Sequence, residues 1–400
     1  MPSIDFRRSI RQSNWFPALL LALLLAACGG GADSGGTGAP AQSSASASGP
    51  ITGFGSVIVN GVHFDDSNAS ITDGDGTARR REELKLGMTT VIKGSALVES
   101  PDETHSVAES IVFSSAVLGP VDSIDATSGR MTVLGQPVDV VSTTVFDDSI
   151  SGGMASLSAG DVVEVYALFD ASNGHYGATR VERKSRVLAY EVRGEVSNLD
   201  IRGKAFNIGN LRISYAGILS RDVPSTLNNG RLFRVKTQAS SATPARATRL
   251  QDATTALAEE EETSIEGLIT QFVSLRNFRV DDVTIDASQA RLSGHGGLGV
   301  GRRVRIEGTV RDGVLVATKV QTKTAGDVES EGFELDGRIA TIDTGRKILS
   351  LRGVSVDYSG PVDFRGGTIA NLAVGRNVEI DAALSPGGTE LRAVRIKFKP

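Results

Sequence analysis

One short pattern, repeated five times, constrains what this chain can fold into. A leucine, two variable residues and a glycine precede an alternating apolar run at Leu84/Gly87, Leu157/Gly160, Leu227/Gly230, Leu298/Gly301 and Leu372/Gly375. Successive glycines stand 73, 70, 71 and 74 residues apart. A fixed period of that length marks a repeated structural unit, and it takes precedence over local propensity. After each glycine the apolar positions recur at every second residue: Thr90 and Ile92, Val163 and Val165, Phe233 and Val235, Val304 and Ile306, Val378 and Ile380. That period is the mark of a half-buried strand.

Three further features keep the same order in every copy. Each opens with a glycine inside an apolar segment, read as Gly53, Gly119, Gly194, Gly267 and Gly337. Hairpin tips follow at Asn60-Gly61, Leu134-Gly135, Gly209-Asn210, Asp281-Asp282 and Arg352-Gly353, most of them residue types that tolerate the positive φ of a two-residue turn. Each copy closes on a small residue and an apolar one: Ala108/Ile111, Ala178/Val181, Ala247/Leu250, Ala317/Val320 and Ala393/Ile396. The implied modules are 51–118, 119–190, 191–262, 263–332 and 333–400.

Each module of about 70 residues holds five or six short strands and no convincing amphipathic helix. An all-β unit of that size must close or pair its edges, so the expected fold is a tandem array of five small β-barrel modules resembling the OB fold. A two-sheet sandwich is the alternative. Modules this small are marginal alone and should lean on their neighbours. Residues 251–264 admit a short helix or a solvated linker, and the linker is favoured.

The N-terminus carries an address. Arg7, Arg8 and Arg11 precede the apolar run Trp15–Ala27, 13 residues long, short of the roughly 20 needed to span a bilayer. Residues 1–27 therefore read as an export signal peptide. It ends in Leu25-Ala26-Ala27-Cys28, which resembles the lipobox of bacterial lipoproteins, and Cys28 is the only cysteine of the chain. The resemblance implies that Cys28 is the lipid attachment site and that cleavage precedes it. Several acyl chains, at about 0.8 kcal/mol per buried CH₂, hold a protein stably on a membrane. Gly29, where an Asp would resemble an inner-membrane retention signal, favours the outer membrane, facing the periplasm or the cell surface. Residues 28–50 read as a lipidated Gly/Ser-rich tether with a mean reach of roughly 25 Å.

The opening ITGFGSVIVNGVHFD and the frame LxxGxxVxVxG, present as LSAGDVVEVYA and LGVGRRVRIEG, resemble the bacterial family called domain of unknown function 5666. The resemblance extends over nearly all of 51–400 and is most specific in the first module. The third departs most, with Thr237 where the others have Gly or Ala. Members are typically secreted or lipidated repeat proteins, and the family implies no activity.

Motifs for chemistry are sparse. His63, His105, His175 and His295 occupy non-equivalent slots without metal spacing, so surface roles are expected and no metal or cofactor. No GxSxG, Ser-x-x-Lys or Walker A string occurs. Phe-Asp-Asp-Ser appears at Phe64–Ser67 and Phe146–Ser149, in different slots of the repeat, which argues against a repeated acid/base pair. Residues 294–299 match GxGxxG by letters but lead into a strand, not the helix a dinucleotide loop requires. Asp73-Gly74-Asp75-Gly76 lacks the ligand series of a calcium loop. Arg180, Arg249, Lys319 and Arg395 recur one residue before the last apolar landmark and read as outward charges that blunt an edge strand.

With aromatic residues at 5% and a net charge of −5, the chain lacks the basic, ring-lined groove of a nucleic-acid binder. The expectation is therefore a non-enzymatic, lipid-anchored envelope protein, an array serving as a scaffold or protein-binding rod with an envelope protein as partner. The alternative is glycan or small-polymer binding on barrel faces, as OB-like folds allow.

Overall fold

Five strands close each module in one order, and the closure follows from how the first strand is bent. The computed structural model describes residues 44–100, 103–254, 262–281, 283–294, 296–322 and 332–400. In module 2 the first strand, Val117–Asp125, pairs antiparallel with the second, Arg130–Val133, and at its other end with the fourth, Val162–Asp170. The second pairs with the third, Gln136–Phe146, which runs parallel to the fifth, His175–Arg183. The fifth returns antiparallel to the fourth and completes the barrel. Modules 1, 3 and 4 repeat this circuit from first strands Ser44–Phe54, Ala189–Asp200 and Glu262–Ser274. In module 5 the first strand is split into Phe333–Arg338 and Thr341–Asp343. These are small closed five-strand barrels of the OB-like kind, as expected.

The repeated leucine-to-glycine frame is a β-turn clasped to the bend of the first strand. Gly87, Gly160, Gly230, Gly301 and Gly375 all have φ between 80° and 92°, which glycine adopts at no steric cost. Each glycine N–H donates 2.8 Å to the carbonyl of a buried first-strand residue: Ile51, Val121, Val196, Ile269 and Ile339. The same five residues donate back, at 2.8–2.9 Å, to the carbonyl of the residue after the glycine. This two-bond clasp fixes the point where the first strand leaves the fourth strand for the second.

The closing landmarks have an equally local cause. Ala and its apolar partner lie three residues apart, which in a regular strand would put them on opposite faces. A register shift against the fourth strand in every module gives the fifth strand one extra residue, at Glu109, Thr179, Thr248, Thr318 and Val394. Both landmarks therefore point inward, and all ten are buried. Opposite the alanines stand Gly94, Ala167, Thr237, Gly308 and Ala382. A Cβ on Gly94 or Gly308 would lie 2.4 or 2.3 Å from a backbone oxygen, so this slot is small for steric reasons.

The hairpin tips fall where expected, between the second and third strands of all five modules. Asn60-Gly61, Leu134-Gly135 and Arg352-Gly353 have positive φ at both positions. The opening glycine lets the tip cross the first strand. A Cβ on Gly119 would stand 2.8 Å from Leu134, and one on Gly267 would stand 2.4 Å from Asp281. By this criterion the first-module equivalent is Gly49, not Gly53. Gly49 pairs with Thr90 as Gly119 pairs with Val163, and its Cβ would lie 2.9 Å from Asn60.

Gly53 has a different task. It lies parallel to Glu334 of module 5, where a Cβ would approach the Glu334 carbonyl oxygen to 2.4 Å. The stretch read as tether also needs correction, because the first strand begins at Ser44. Residues Ser44–Ala47 run parallel to Thr263–Glu266 of module 4, with Ala45 and Ala47 buried and the serines half-buried. An Ala/Ser alternation carries the period of a strand with too little apolar contrast to be read as one. Residues 1–43, including Cys28, and residues 255–261 of the favoured linker lie outside the described residues.

Nor do the modules form a rod of nearest neighbours. Residues 44–400 belong to one compact unit, in which module 1 pairs with modules 4 and 5, and module 2 with module 3. Modules 1 and 5 share one apolar core, as do 2 and 3, while module 4 keeps its own. Small barrels gain from merging because each alone buries too small a fraction of its surface.

Two glycine substitutions separate backbone strain from packing. A Cβ on Gly301 meets nothing within 4 Å, so Gly301→Ala should cost about 1–2 kcal/mol, the left-handed backbone alone. Gly53→Ala collides with backbone and should cost about 3 kcal/mol or more. Denaturant unfolding of both variants checks this; equal losses would mean that the Gly53–Glu334 pairing does not hold the modules together.

Candidate functional site

The charged residues of the repeat gather at seams around module 1. At the module 2 seam, Arg180 donates 2.7 Å to Glu182 and 3.1 Å to the Leu86 carbonyl, and Lys85 reaches Glu182 at 3.1 Å. At the module 3 seam, Arg234 pairs with Glu191, while Asp75 takes Lys236 and Arg249. At the module 4 seam, Arg305 holds Glu266 at 2.9 Å and also pairs with Glu99, and the Asn60 amide donates to the Glu266 carbonyl. Arg180, Glu182, Glu191, Arg234, Glu266 and Arg305 are all buried. Paired charges of this kind fix register and partner more than they add stability.

Burial works against the charged form of Glu182, yet Arg180 and Lys184 outweigh it and hold its pKa at about 2. Burial also leads at Glu191, where it raises the carboxyl in spite of Arg234 and Lys236. At the module 1–5 seam, burial lowers His63 below its ordinary value, against the pull of Glu103 3.5 Å away.

Most of the residues named from the sequence have partners within the fold. Arg180 and Arg249 face module 1 instead of blunting an edge, and Lys319 and Arg395 pair with the facing fourth-strand residues Glu307 and Asp381. His175 pairs with Asp139 at 2.9 Å, His105 lies exposed beside His63 on the neighbouring strand, and His295 is outside the described residues. Phe64 lies in the third strand of module 1, Val62–Asp65, with Asp66 beyond it paired to Arg81, whereas Asp147 after Phe146 caps a 3-10 turn. The Asp73 carboxylate accepts from the Asp75 and Thr77 amides, making a turn that presents Asp75 to module 3. Among the described residues, no group of three or more His, Cys, Asp or Glu is placed to hold a metal ion.

Two openings stand out among the described residues. A cavity of about 80 Å³ lies where modules 1 to 4 meet, between Thr90, Tyr176, Arg193, Glu195, Arg279 and Asp281. It has room for a few waters and none for a sugar. The second is a groove of about 1170 Å³ in module 3, and its origin is a missing strand. In the other four modules a short segment adds, parallel, to the outer edge of the fifth strand. Ser70–Asp73, Arg291–Gly294 and Asp363–Arg365 do so in modules 1, 4 and 5, and Val145–Phe146 at the end of the third strand in module 2. Each sets an apolar residue beside the apolar landmark: Ile71 by Ile111, Phe146 by Val181, Leu292 by Val320, Phe364 by Ile396.

In module 3 the third strand reaches the fifth only at Ile213–Ala245 and Ser214–Arg246. Residues 215–231 then leave as a loop with one 3-10 turn at Ser220–Asp222. The outer edge of Ala247–Asp252 has no strand partner among the described residues, and Ile218, Leu219, Thr243, Pro244, Arg246 and Leu250 line the groove. The absence of a segment is invisible in one module's sequence. Only the register of the other four exposes it.

Comparison with known proteins finds a family model that matches three of the barrels. Residues 119–182, 266–321 and 336–397 match the model of the domain of unknown function (DUF5666), three segments consistent with a repeated domain. The matches fall in modules 2, 4 and 5. Module 1, whose opening bears the resemblance most specifically in sequence, is outside them, as is module 3. A solved structure titled drosophila Unr CSD456 is similar at 14% identity, covering 57% of this chain and 99% of that one, with a TM-score of 0.16. No curated protein matches the chain.

The pKa of Glu182 gives a prediction with a definite sign. Its folded value of about 2 lies below the ordinary 4.5, so its contribution is complete above about pH 5 and is lost as pH falls toward 2. Glu182→Gln should lower stability at pH 7 by about 3 kcal/mol, since Arg180 loses its buried partner. It should also flatten the stability–pH slope between about pH 5 and 2. Denaturant unfolding across that range tests both; an unchanged slope would remove Glu182 from the seam.

Proposed function

We propose that this chain is a non-enzymatic, lipid-anchored protein of the cell envelope, held at the outer membrane through Cys28, where it acts as a protein-binding scaffold. The observation that supports this reading is the use of the recurring positions. Glycines, small residues and landmarks serve closure, and the buried charges serve the seams. The two openings described above are lined by different positions and are not equivalent from module to module. What remains open to a partner is backbone and apolar surface at a strand edge, the kind of site that other polypeptides recognise. Chemical cross-linking in living cells, followed by mass spectrometry, tests the reading. A reproducible envelope protein cross-linked to module residues is expected, and its absence would sink it.

Glycan binding draws no support from the rings. Tyr166, Tyr176, Tyr215 and Tyr358 are buried, and no aromatic side chain among the described residues is fully exposed. Sugar and base stacking both need such platforms.

The anchor has its own test. A thiol that carries acyl chains cannot be replaced by a hydroxyl without losing them, and the first described strand begins 16 residues later, at Ser44. Cys28→Ser should move the protein from the membrane fraction to the soluble periplasm, or leave its signal uncleaved, with thermal unfolding unchanged. A Cys28→Ser chain that is processed and still fractionates with the outer membrane would show that lipid is not the anchor.

A further inference from the structure

We infer that the open edge of module 3 is a strand-addition site for an extended segment of a partner protein, one that carries an aromatic or branched apolar residue next to an acidic one. The inference rests on the scaffold reading above and names its site and the chemistry of its partner.

The other four modules supply the template. In each, the fifth strand is completed by a parallel segment whose apolar residue sits beside Ile111, Val181, Val320 or Ile396. Leu250 is the module 3 counterpart of those residues, and the segment that should cover its edge is absent from the described residues. An unpaired edge offers a row of main-chain donors and acceptors to any extended chain. The groove beside it encloses about 1170 Å³, and Ile218, Leu219 and Pro244 give it apolar walls.

Charge selects the occupant. Arg246 is exposed, lines the groove and makes no ion pair with the described residues, while Arg249, three residues on, also lines it but pairs with Asp75 of module 1 at 3.3 Å. In module 5 the residue beside Arg395, the counterpart of Arg249, is Asp363, directly before Phe364. In module 2 the acid follows the ring: Asp147 reaches Arg180, the same counterpart, at 3.6 Å. Two of the four internal occupants thus join a phenylalanine to an aspartate near this position; in module 2 the aspartate reaches the arginine, and in module 5 it lies beside the arginine in register while its carboxylate pairs with Arg365. Asp222 is the one acid lining the groove, and it is paired with Arg221 at 3.7 Å.

The chain's own module 2 segment provides the probe. A fluorescent peptide with the sequence of residues 142–149, Ser-Thr-Thr-Val-Phe-Asp-Asp-Ser, is titrated into the full-length protein in detergent. A second version carries a photoreactive phenylalanine at the position of Phe146. Saturable binding, with cross-links to residues 246–250 or 214–219, is expected. Arg246→Glu should weaken it roughly tenfold without altering thermal unfolding, and a peptide with Ser in place of Phe should not bind.

No binding up to about 1 mM peptide, or cross-links confined to other modules, would overturn the site. The scaffold reading would still stand if cross-linking in cells recovered a partner elsewhere on the surface. Light scattering separates the remaining occupant: a dimer that Arg246→Glu dissociates would assign the groove to a second copy of this chain and overturn the inference. A monomer with peptide bound at the edge supports it.

Discussion

The pair of hydrogen bonds between the glycine turn and the first strand is the constraint on which every barrel depends. A five-stranded sheet closes only if one strand serves two partners, and the first strand does so by bending where Ile51, Val121, Val196, Ile269 or Ile339 exchanges bonds with the turn. Each bond is worth about 1 kcal/mol net, yet both lie beside a buried side chain, where leaving them unmade would cost more. The glycine is required twice over. Its φ of 80–92° is closed to most side chains, and its N–H must face inward to reach the first strand. The leucine three residues earlier is buried in modules 1 and 2 and half-buried in the others, tying the turn to the core it closes.

That geometry explains how far the sequence can be read. Period, hairpin tips, landmarks and strand alternation all come from backbone requirements inside one module, and each leaves a residue type behind. Side-chain polarity marks a strand only when its two faces differ, so Ser44–Gly49, alternating serine with alanine and glycine, passes for tether. Gly53 reads as the opening glycine because two glycines four residues apart satisfy different close approaches: Gly49 to its own hairpin tip, Gly53 to the backbone of another module. The second kind of contact has no periodic signature, since it occurs once.

The same distinction governs the arrangement of the barrels. Module 1 meets the other four through single-use features: Lys85 and Leu86 toward module 2, Asp75 toward module 3, Asn60 and Glu99 toward module 4, Gly53 and Gly55 toward module 5. A repeat whose contacts were equivalent would stack as a solenoid. Here the repeated positions build barrels and the unrepeated ones assemble them. Arg180 and Arg249 show this most directly, since matching residues on matching strands are claimed by different parts of one neighbour. Arginine suits that use because its planar fork satisfies a carboxylate and a backbone carbonyl together.

Module 3 departs from the pattern in two places that have one physical consequence. Thr237 occupies the slot beside the fifth-strand bulge that is Gly or Ala elsewhere, and no added segment follows the third strand. Both changes fall on the two sides of Ala245–Asp252, one facing the fourth strand and one facing solvent. An edge left open in this way invites uncontrolled pairing, and proteins blunt such edges with charge. Arg246 stands on that edge beside the exposed Thr248, whereas Arg249 turns to Asp75 of module 1. A cation on a bare edge repels the like edge of a second copy while attracting an acidic chain. The residue that protects the barrel from itself is therefore the one that would choose its guest. Strand addition elsewhere in the repeat has become intramolecular, which among the described residues leaves module 3 as the barrel whose fifth strand has a bonding edge to offer.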